Sequence, residues 1–153
     1  MSLLTDIIFV EAIQSNRSLL GRLAAGDVYN TAIALPDEDI DNAPIPYVIV
    51  TFDGMTNDTG TKDTYEGDTD QVRIGVTIAA NTRQELGEIA LAVRTTIRDY
   101  FTALMEGDTV SENMHLLPFD YTVSAGPVQY DSLKPCMWQV LNYACETGAD
   151  DED

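Results

Sequence analysis

The run Gln71-Val72-Arg73-Ile74-Gly75-Val76-Thr77-Ile78, with Thr82-Arg83-Gln84-Glu85 close behind it, decides how this chain folds. Val72, Ile74, Val76 and Ile78 alternate with Gln71, Arg73, Gly75 and Thr77, which is the period of a strand with one face inward. Thr82 stands three residues before Glu85, the spacing of a capping box. The hydroxyl accepts from an orphan N–H of the first turn, and the carboxylate reaches back to the N–H of the cap. A helix therefore starts there. Its apolar positions, Leu86, Ile89, Ala90, Val93, Ile97, Tyr100, Phe101 and Leu104, recur every three or four residues and draw one stripe, and Gly107 is placed to stop it.

Before this pair, residues 2–16 read as a first helix. Leu4, Ile7, Ile8, Phe9, Ala12 and Ile13 give it a broad apolar side, and Ser2 or Thr5 is available as a cap. A short helical turn through Leu19, Leu20 and Leu23 ends at Gly26, and residues 28–34 read as a weak strand. Pro44 and Pro46 lead into the β-rich Tyr47-Val48-Ile49-Val50-Thr51-Phe52. Residues 54–70 then offer turn formers and hardly an apolar group beyond Met55 and Tyr65, so the expectation is an antiparallel hairpin with a long mobile tip.

Behind the long helix, Phe119-Asp120-Tyr121-Thr122-Val123-Ser124-Ala125 alternates, Gly126-Pro127 interrupts, and Val128-Gln129-Tyr130 resumes. Proline removes a ladder donor, so this strand is bulged there or lies at an edge. After a turn at 131–135, Met137 to Ala144 completes a second hairpin. Trp138, Val140 and Ala144 lie on one face and Met137, Leu141 and Tyr143 on the other, so both faces need cover, from helices or from another subunit. The pattern is that of a single α+β domain over residues 1–147. An antiparallel or mixed sheet of about four to five strands packs against one long helix and an N-terminal helix, and residues 148–153 form an acidic, disordered tail.

A chain of 153 residues with net charge −18 and only eight basic residues is ill suited to track phosphates or to sit on an anionic membrane. No apolar run approaches the ~20 residues of a spanning helix, and the N-terminal apolar stretch lacks the basic lead-in of a secretory signal, so a soluble, cytosolic protein is expected. Cys136 and Cys145 would stand about 30 Å apart in one strand, at ~3.3 Å per residue, and on opposite faces. They read as free, buried thiols with no shared metal.

Support for catalysis is thin. The only histidine, His115, has no nucleophile motif near it and reads as an ordinary loop or partly buried residue. Gly54, Gly60 and Gly67 fit neither the dinucleotide fingerprint nor the P-loop. Asp53, Asp58, Asp63, Glu66, Asp68 and Asp70 offer oxygen ligands but lack the EF-hand rhythm, so no dedicated metal site, cofactor or enzymatic activity is expected. The clusters at 37–41 and 150–153 read as solvated surface.

A helical N-terminus, the lead Pro44-Ile45-Pro46-Tyr47-Val48 into a strand, and the strand Gln71-Val72-Arg73-Ile74 running through Asn81-Thr82 into a helix with Ala92-Val93-Arg94 form one pattern. Together they resemble the tail completion, or tail terminator, proteins of long-tailed phages and prophages. The resemblance spans residues 3–143 and is strongest over 44–97. It implies a small α+β virion structural protein without chemistry, assembled in the host cytoplasm into a homo-oligomeric ring, commonly a hexamer, at the head–tail junction. Its partners would be further copies of itself, the tail tube and head-completion proteins. DNA would slide through an acidic lumen without sequence-specific binding. On this reading subunit or ring contacts fall on Asp58, Lys62, Tyr65 and Asp68 of the hairpin tip, on Arg73, and on a patch near Trp138 and Tyr143. The chain is more acidic than the family leads one to expect, and its acidic tail is a further departure.

A different class of function, a small acidic inhibitor or nucleic-acid-mimicking anti-defence module, would act as a monomer or dimer. A hydrolase or metal-dependent enzyme is a third reading, dismissed if chelation costs no function.

Overall fold

The computed structural model describes residues 2–30, 44–57, 69–133 and 135–148. Three α-helices occur among them: α1 (Thr5–Gln14), α2 (Arg17–Leu20) and α3 (Arg83–Glu106). The strands are β1 (Tyr29–Asn30), β2 (Tyr47–Asn57), β3 (Thr69–Ala80), β4 (Asp120–Ala125), β5 (Gln129–Asp131) and β6 (Cys136–Gly148). They form one mixed sheet in the order β1-β2-β3-β6-β4, with β5 also on β6. Only β1 and β2 run parallel. The α+β reading holds, with six strands instead of four to five.

The capping box starts α3 almost as the sequence implies. The N–H of Glu85 donates to Thr82 Oγ1 at 3.1 Å, but Glu85 Oε1 accepts from the N–H of Asn81 at 2.9 Å, one residue before the cap. At the far end Gly107 takes the left-handed conformation, φ 79°, and Asp108 donates back to the carbonyl of Ala103 at 2.9 Å. That is the terminating turn glycine permits without a Cβ penalty. The stripe of α3 is buried from Leu86 to Leu104, with Thr96 added and Tyr100 only partly buried.

The first helix needs correction. A 3-10 turn at Ser2–Leu4 precedes α1, and the helix buries Thr5, Ile8, Phe9, Ala12 and Ile13, while Leu4 and Ile7 are exposed. Ten residues carry a stripe narrower than the sequence suggested, and Ile7 falls off it. Neither expected cap forms: Thr5 Oγ1 donates to the carbonyl of Ser2 at 2.7 Å, and the hydroxyls of Ser2 and Thr147 pair at 2.7 Å. The second turn is capped by Asn16, whose Oδ1 accepts from the N–H of Leu19 at 3.1 Å.

β2 and β3 form the expected antiparallel hairpin, from Tyr47↔Ala79 to Asn57↔Asp70. Both strands continue into what the sequence presents as loop. Ladder pairing needs no apolar side chain once a partner strand is in register, and Gly54, at φ 134°, absorbs a bulge between Phe52 and Gly54. Residues 58–68 and 31–43, with the far part of the weak strand, lie outside the described residues, as does the tail from 149 on.

The second hairpin also holds. β4 is the last strand of the sheet and is bulged as well: Ala125 faces Leu141 and Gln129 faces Trp138, so four steps on one strand match three on the other, with Pro127 inside the bulge. α1 and α3 pack on one face of the sheet. There an aromatic cluster joins the layers, Phe9 lying 5.1 Å from Phe101 and 5.0 Å from Tyr143, ring centre to ring centre. Among the described residues no helix is long and apolar enough to cross a membrane.

Candidate functional site

Strand alternation divides the sheet into two unlike faces. Val72, Ile74, Val76 and Ile78 of β3 and Leu141, Tyr143 and Cys145 of β6 point under the helices and belong to one core. The other face is crossed by registered rows. One runs Tyr47–Ala79–Trp138–Gln129, the next contains Ile49, Thr77 and Val140, and farther along come Gly54–Arg73–Ala144–Thr122 and Thr56–Gln71–Glu146–Asp120. The face thus grades from apolar at the Trp138 end to charged at the Glu146 end. Ile49, Ala79 and Cys136 are buried there, apart from the core under the helices, while Tyr47, Trp138 and Val140 are partly buried. No described helix covers this face.

The residues expected at subunit contacts separate. Asp58, Lys62, Tyr65 and Asp68 lie outside the described residues. Arg73 is exposed on the open face, opposite Ala144 and next to the bulge at Gly54. Trp138 is partly buried on the same face. Tyr143 is not on that surface at all. It is 2% exposed and packs between Phe9 and Tyr121 in the core. An odd separation along a strand places two side chains on opposite faces, so Trp138 and Tyr143 cannot share a patch. Burial pushes the Tyr143 hydroxyl well above the ordinary tyrosine range.

Neither cysteine is in a disulfide and both are buried, and burial pushes the Cys145 thiol up to about 12. His115 is exposed in a 3-10 turn, Met114–Leu116. Among the described residues no three His, Cys, Asp or Glu side chains group into a metal site.

Two arrangements escaped the sequence reading. One is a polar seam between α1, α3 and the segment after α3. The Tyr100 hydroxyl donates to Glu11, and Asn113 Nδ2 donates to Glu11 Oε1 at 2.7 Å. Burial works to raise Glu11, but hydrogen bonds from Ser111, Tyr100 and Asn113 outweigh it and hold the carboxyl below its ordinary value. Burial, then the hydrogen bond to Glu11 and its charge, push Tyr100 up to about 12.

The other is a cleft of ≈ 140 Å³ between α3 and β4, lined by Leu91, Arg94, Thr95, Arg98, Tyr121, Val123 and Tyr143. Leu91, Arg94, Thr95 and Arg98 recur at helical spacing on the flank of α3 beside the core stripe, but that spacing gathers them only on the helix and does not announce the strand opposite. Compared with known protein families and with curated proteins, the chain matches none.

Proposed function

We propose that the protein is a structural ring subunit of a phage or prophage tail, a tail terminator or completion protein at the head–tail junction. One observation carries this reading: among the described residues helices screen a single face of the sheet, and the other face keeps Tyr47, Trp138 and Val140 only partly covered beside charged rows. A closed ring is built from a heterologous contact repeated until the rotation closes, and a face graded from apolar to charged offers a register for it. The order of elements adds support: N-terminal helix, long antiparallel hairpin, long helix, final hairpin. In the ring, commonly a hexamer, the hairpin β2–β3 would reach toward neighbouring subunits or the adjacent ring of tail tube or head-completion protein. The acidic charge would line a lumen through which DNA slides.

Charge sets the test. With −18 per subunit, gathering copies is costly at low salt, and screening shortens the Debye length from ~30 Å at 0.01 M to ~8 Å at 0.15 M. Assembly therefore rises with salt. Sedimentation or light scattering across that range, at high protein concentration, should show an oligomer gaining population, and Trp138→Glu should remove it with the fold retained. A species monomeric throughout, or an oligomer that dissociates as salt rises, overturns the ring and leaves the small acidic binding module.

A further inference from the structure

We propose that the cleft between α3 and the outer edge of β4 receives an extended acidic segment of a partner protein. The segment adds to β4 as a further strand and sets carboxylates two residues apart against Arg94 and Arg98.

The edge comes first. Gly126 donates its N–H to the carbonyl of Val140 at 2.9 Å, which fixes the phase of the ladder between β4 and β6. Alternation then turns the main-chain groups of Thr122 and Ser124 toward β6 and those of Tyr121, Val123 and Ala125 outward. The N–H of Tyr121 is taken by Asp120 Oδ1 at 2.9 Å. Among the described residues no strand pairs with this edge, so Val123 and Ala125 offer donors and acceptors to an incoming strand.

The helix supplies selectivity. Arg94 makes no ion pair or hydrogen bond among the described residues. Arg98 reaches only its sequence neighbour Asp99, at 3.1 Å with both side chains 65% exposed, a contact that water and salt weaken. Two guanidinium groups left nearly uncompensated stand out in a chain with 26 acids and eight basic residues. They are one turn apart, about 6 Å along the helix axis. Alternate residues of a strand on one face lie about 6.6 Å apart, so carboxylates at i and i+2 match both arginines. Leu91, 61% exposed, and the apolar floor of Tyr121 and Val123 take an apolar side chain from the same face of the incoming strand. Asp120 at the start of β4 and Asp99 beside Arg98 limit the acidic stretch to the middle of the cleft. The overall charge repels a long polyanion such as nucleic acid, which a short segment with two acids escapes.

The test uses the full chain and the synthetic peptide Val-Thr-Glu-Thr-Glu-Thr-Val, which sets both glutamates and a flanking valine on one face, with a Lys-for-Glu counterpart, followed by fluorescence anisotropy and by hydrogen exchange at Val123 and Ala125. The Glu peptide should bind, protect those amides, leave the mass at one protein per complex, and weaken by about tenfold or more between 0.02 and 0.15 M salt. The Lys peptide should not bind. Arg94→Glu/Arg98→Glu, both exposed, should lose binding with an unchanged unfolding midpoint, and Ala125→Pro should lose it by removing the outward N–H. Equal binding of both peptides, indifference to either variant, or no binding at low salt overturns the proposal. So does tighter binding of an oligonucleotide, or self-association that Arg94→Glu/Arg98→Glu abolishes. Because ring assembly strengthens with salt and this contact weakens with it, failure of one is distinguishable from failure of the other.

Discussion

Along β6, residues one apart live in different worlds. Leu141, Tyr143 and Cys145 are buried against α1 and α3, while Asn142, Ala144 and Glu146 between them are exposed and Val140 is only partly covered. Both sets belong to one strand with one backbone ladder, so the contrast comes from what lies above each face. On the helix side, stability is fixed by interdigitated packing that tolerates little change in volume. On the other side no described helix lies over β6, and its exposed positions Asn142, Ala144 and Glu146 are available for contacts. The comparison also separates two kinds of experiment. A substitution on the helix side reads the fold, and one on the open side tests the proposed assembly.

The largest effect should come from Tyr143→Ala. The ring packs edge-on to Phe9 at 5.0 Å and against Tyr121 at 5.7 Å, and removing it opens a cavity between the layers. A loss of about 3 to 5 kcal/mol is expected, with about 2 to 5 kcal/mol for Ile97→Ala and somewhat less for Val93→Ala on the stripe of α3. Trp138→Ala on the other face should cost about 1 to 2 kcal/mol because the side chain stays partly exposed in the folded monomer. Denaturant unfolding of the four variants under monomeric conditions is the measurement. Equal losses for Tyr143 and Trp138 would mean that the open face is covered as tightly as the core.

A middling effect is expected at the rim of the helical layer, where Tyr100 donates to Glu11. Tyr100→Phe keeps the ring and deletes the hydroxyl, at a cost of about 1 kcal/mol near neutral pH for a partly exposed bond. The pH dependence has a definite sign. The folded value of Tyr100, about 12, lies above the ordinary 10.0, so its stabilisation is complete below pH 10 and is lost as pH rises toward 12. Glu11 lies below its ordinary 4.5, so its share is present above that value and fades as pH falls through the folded one. The difference between wild type and Tyr100→Phe should form a plateau from about pH 5 to 10 and shrink at both ends. Only the difference isolates this pair, since burial also raises Tyr121, Tyr143 and Cys145. A difference that stays flat to pH 12 would remove Tyr100 from the alkaline limb.

How legible this was in the sequence depends on whether one element or two had to be read. The stripe of α3, the alternation of β3 and the bulge at Pro127 are properties of a single segment, and each stands where its period put it. Residues 54–57 read as loop because their strand character resides in backbone pairing with β3, which their own side chains do not announce. Ile7 looked apolar enough to be buried, but a ten-residue helix on a sheet has room for one narrow stripe, and that choice is made by the partner surface. The alternation that places Trp138 and Tyr143 on opposite faces was visible, yet only the helices show which face is inside. The cleft of Arg94 and Arg98 needs α3 and β4 brought together from distant parts of the chain, so no local period could point to it.

The smallest effect should be at Ala144, next to Tyr143 in sequence and opposite Arg73 across the ladder. Ala144 is exposed, so a longer side chain meets water and not packing, and the outcome is decided by charge. Ala144→Glu sets a carboxylate across from the Arg73 guanidinium, where an opposite-charge pair contributes about 0.2 to 1 kcal/mol, and the low end applies at an exposed site. Ala144→Lys sets like charges opposite each other and should lose a similar amount. Screening to a Debye length of about 3 Å at 1 M salt should bring both variants back to the wild-type value. Thermal or urea unfolding of the pair at low and high salt measures this directly. Opposite signs that collapse with salt would show Ala144 and Arg73 facing each other on a solvated sheet face. A loss above about 2 kcal/mol in both variants, unmoved by salt, is the signature of overpacking and would place Ala144 under a cover that erases the distinction between the two faces of β6.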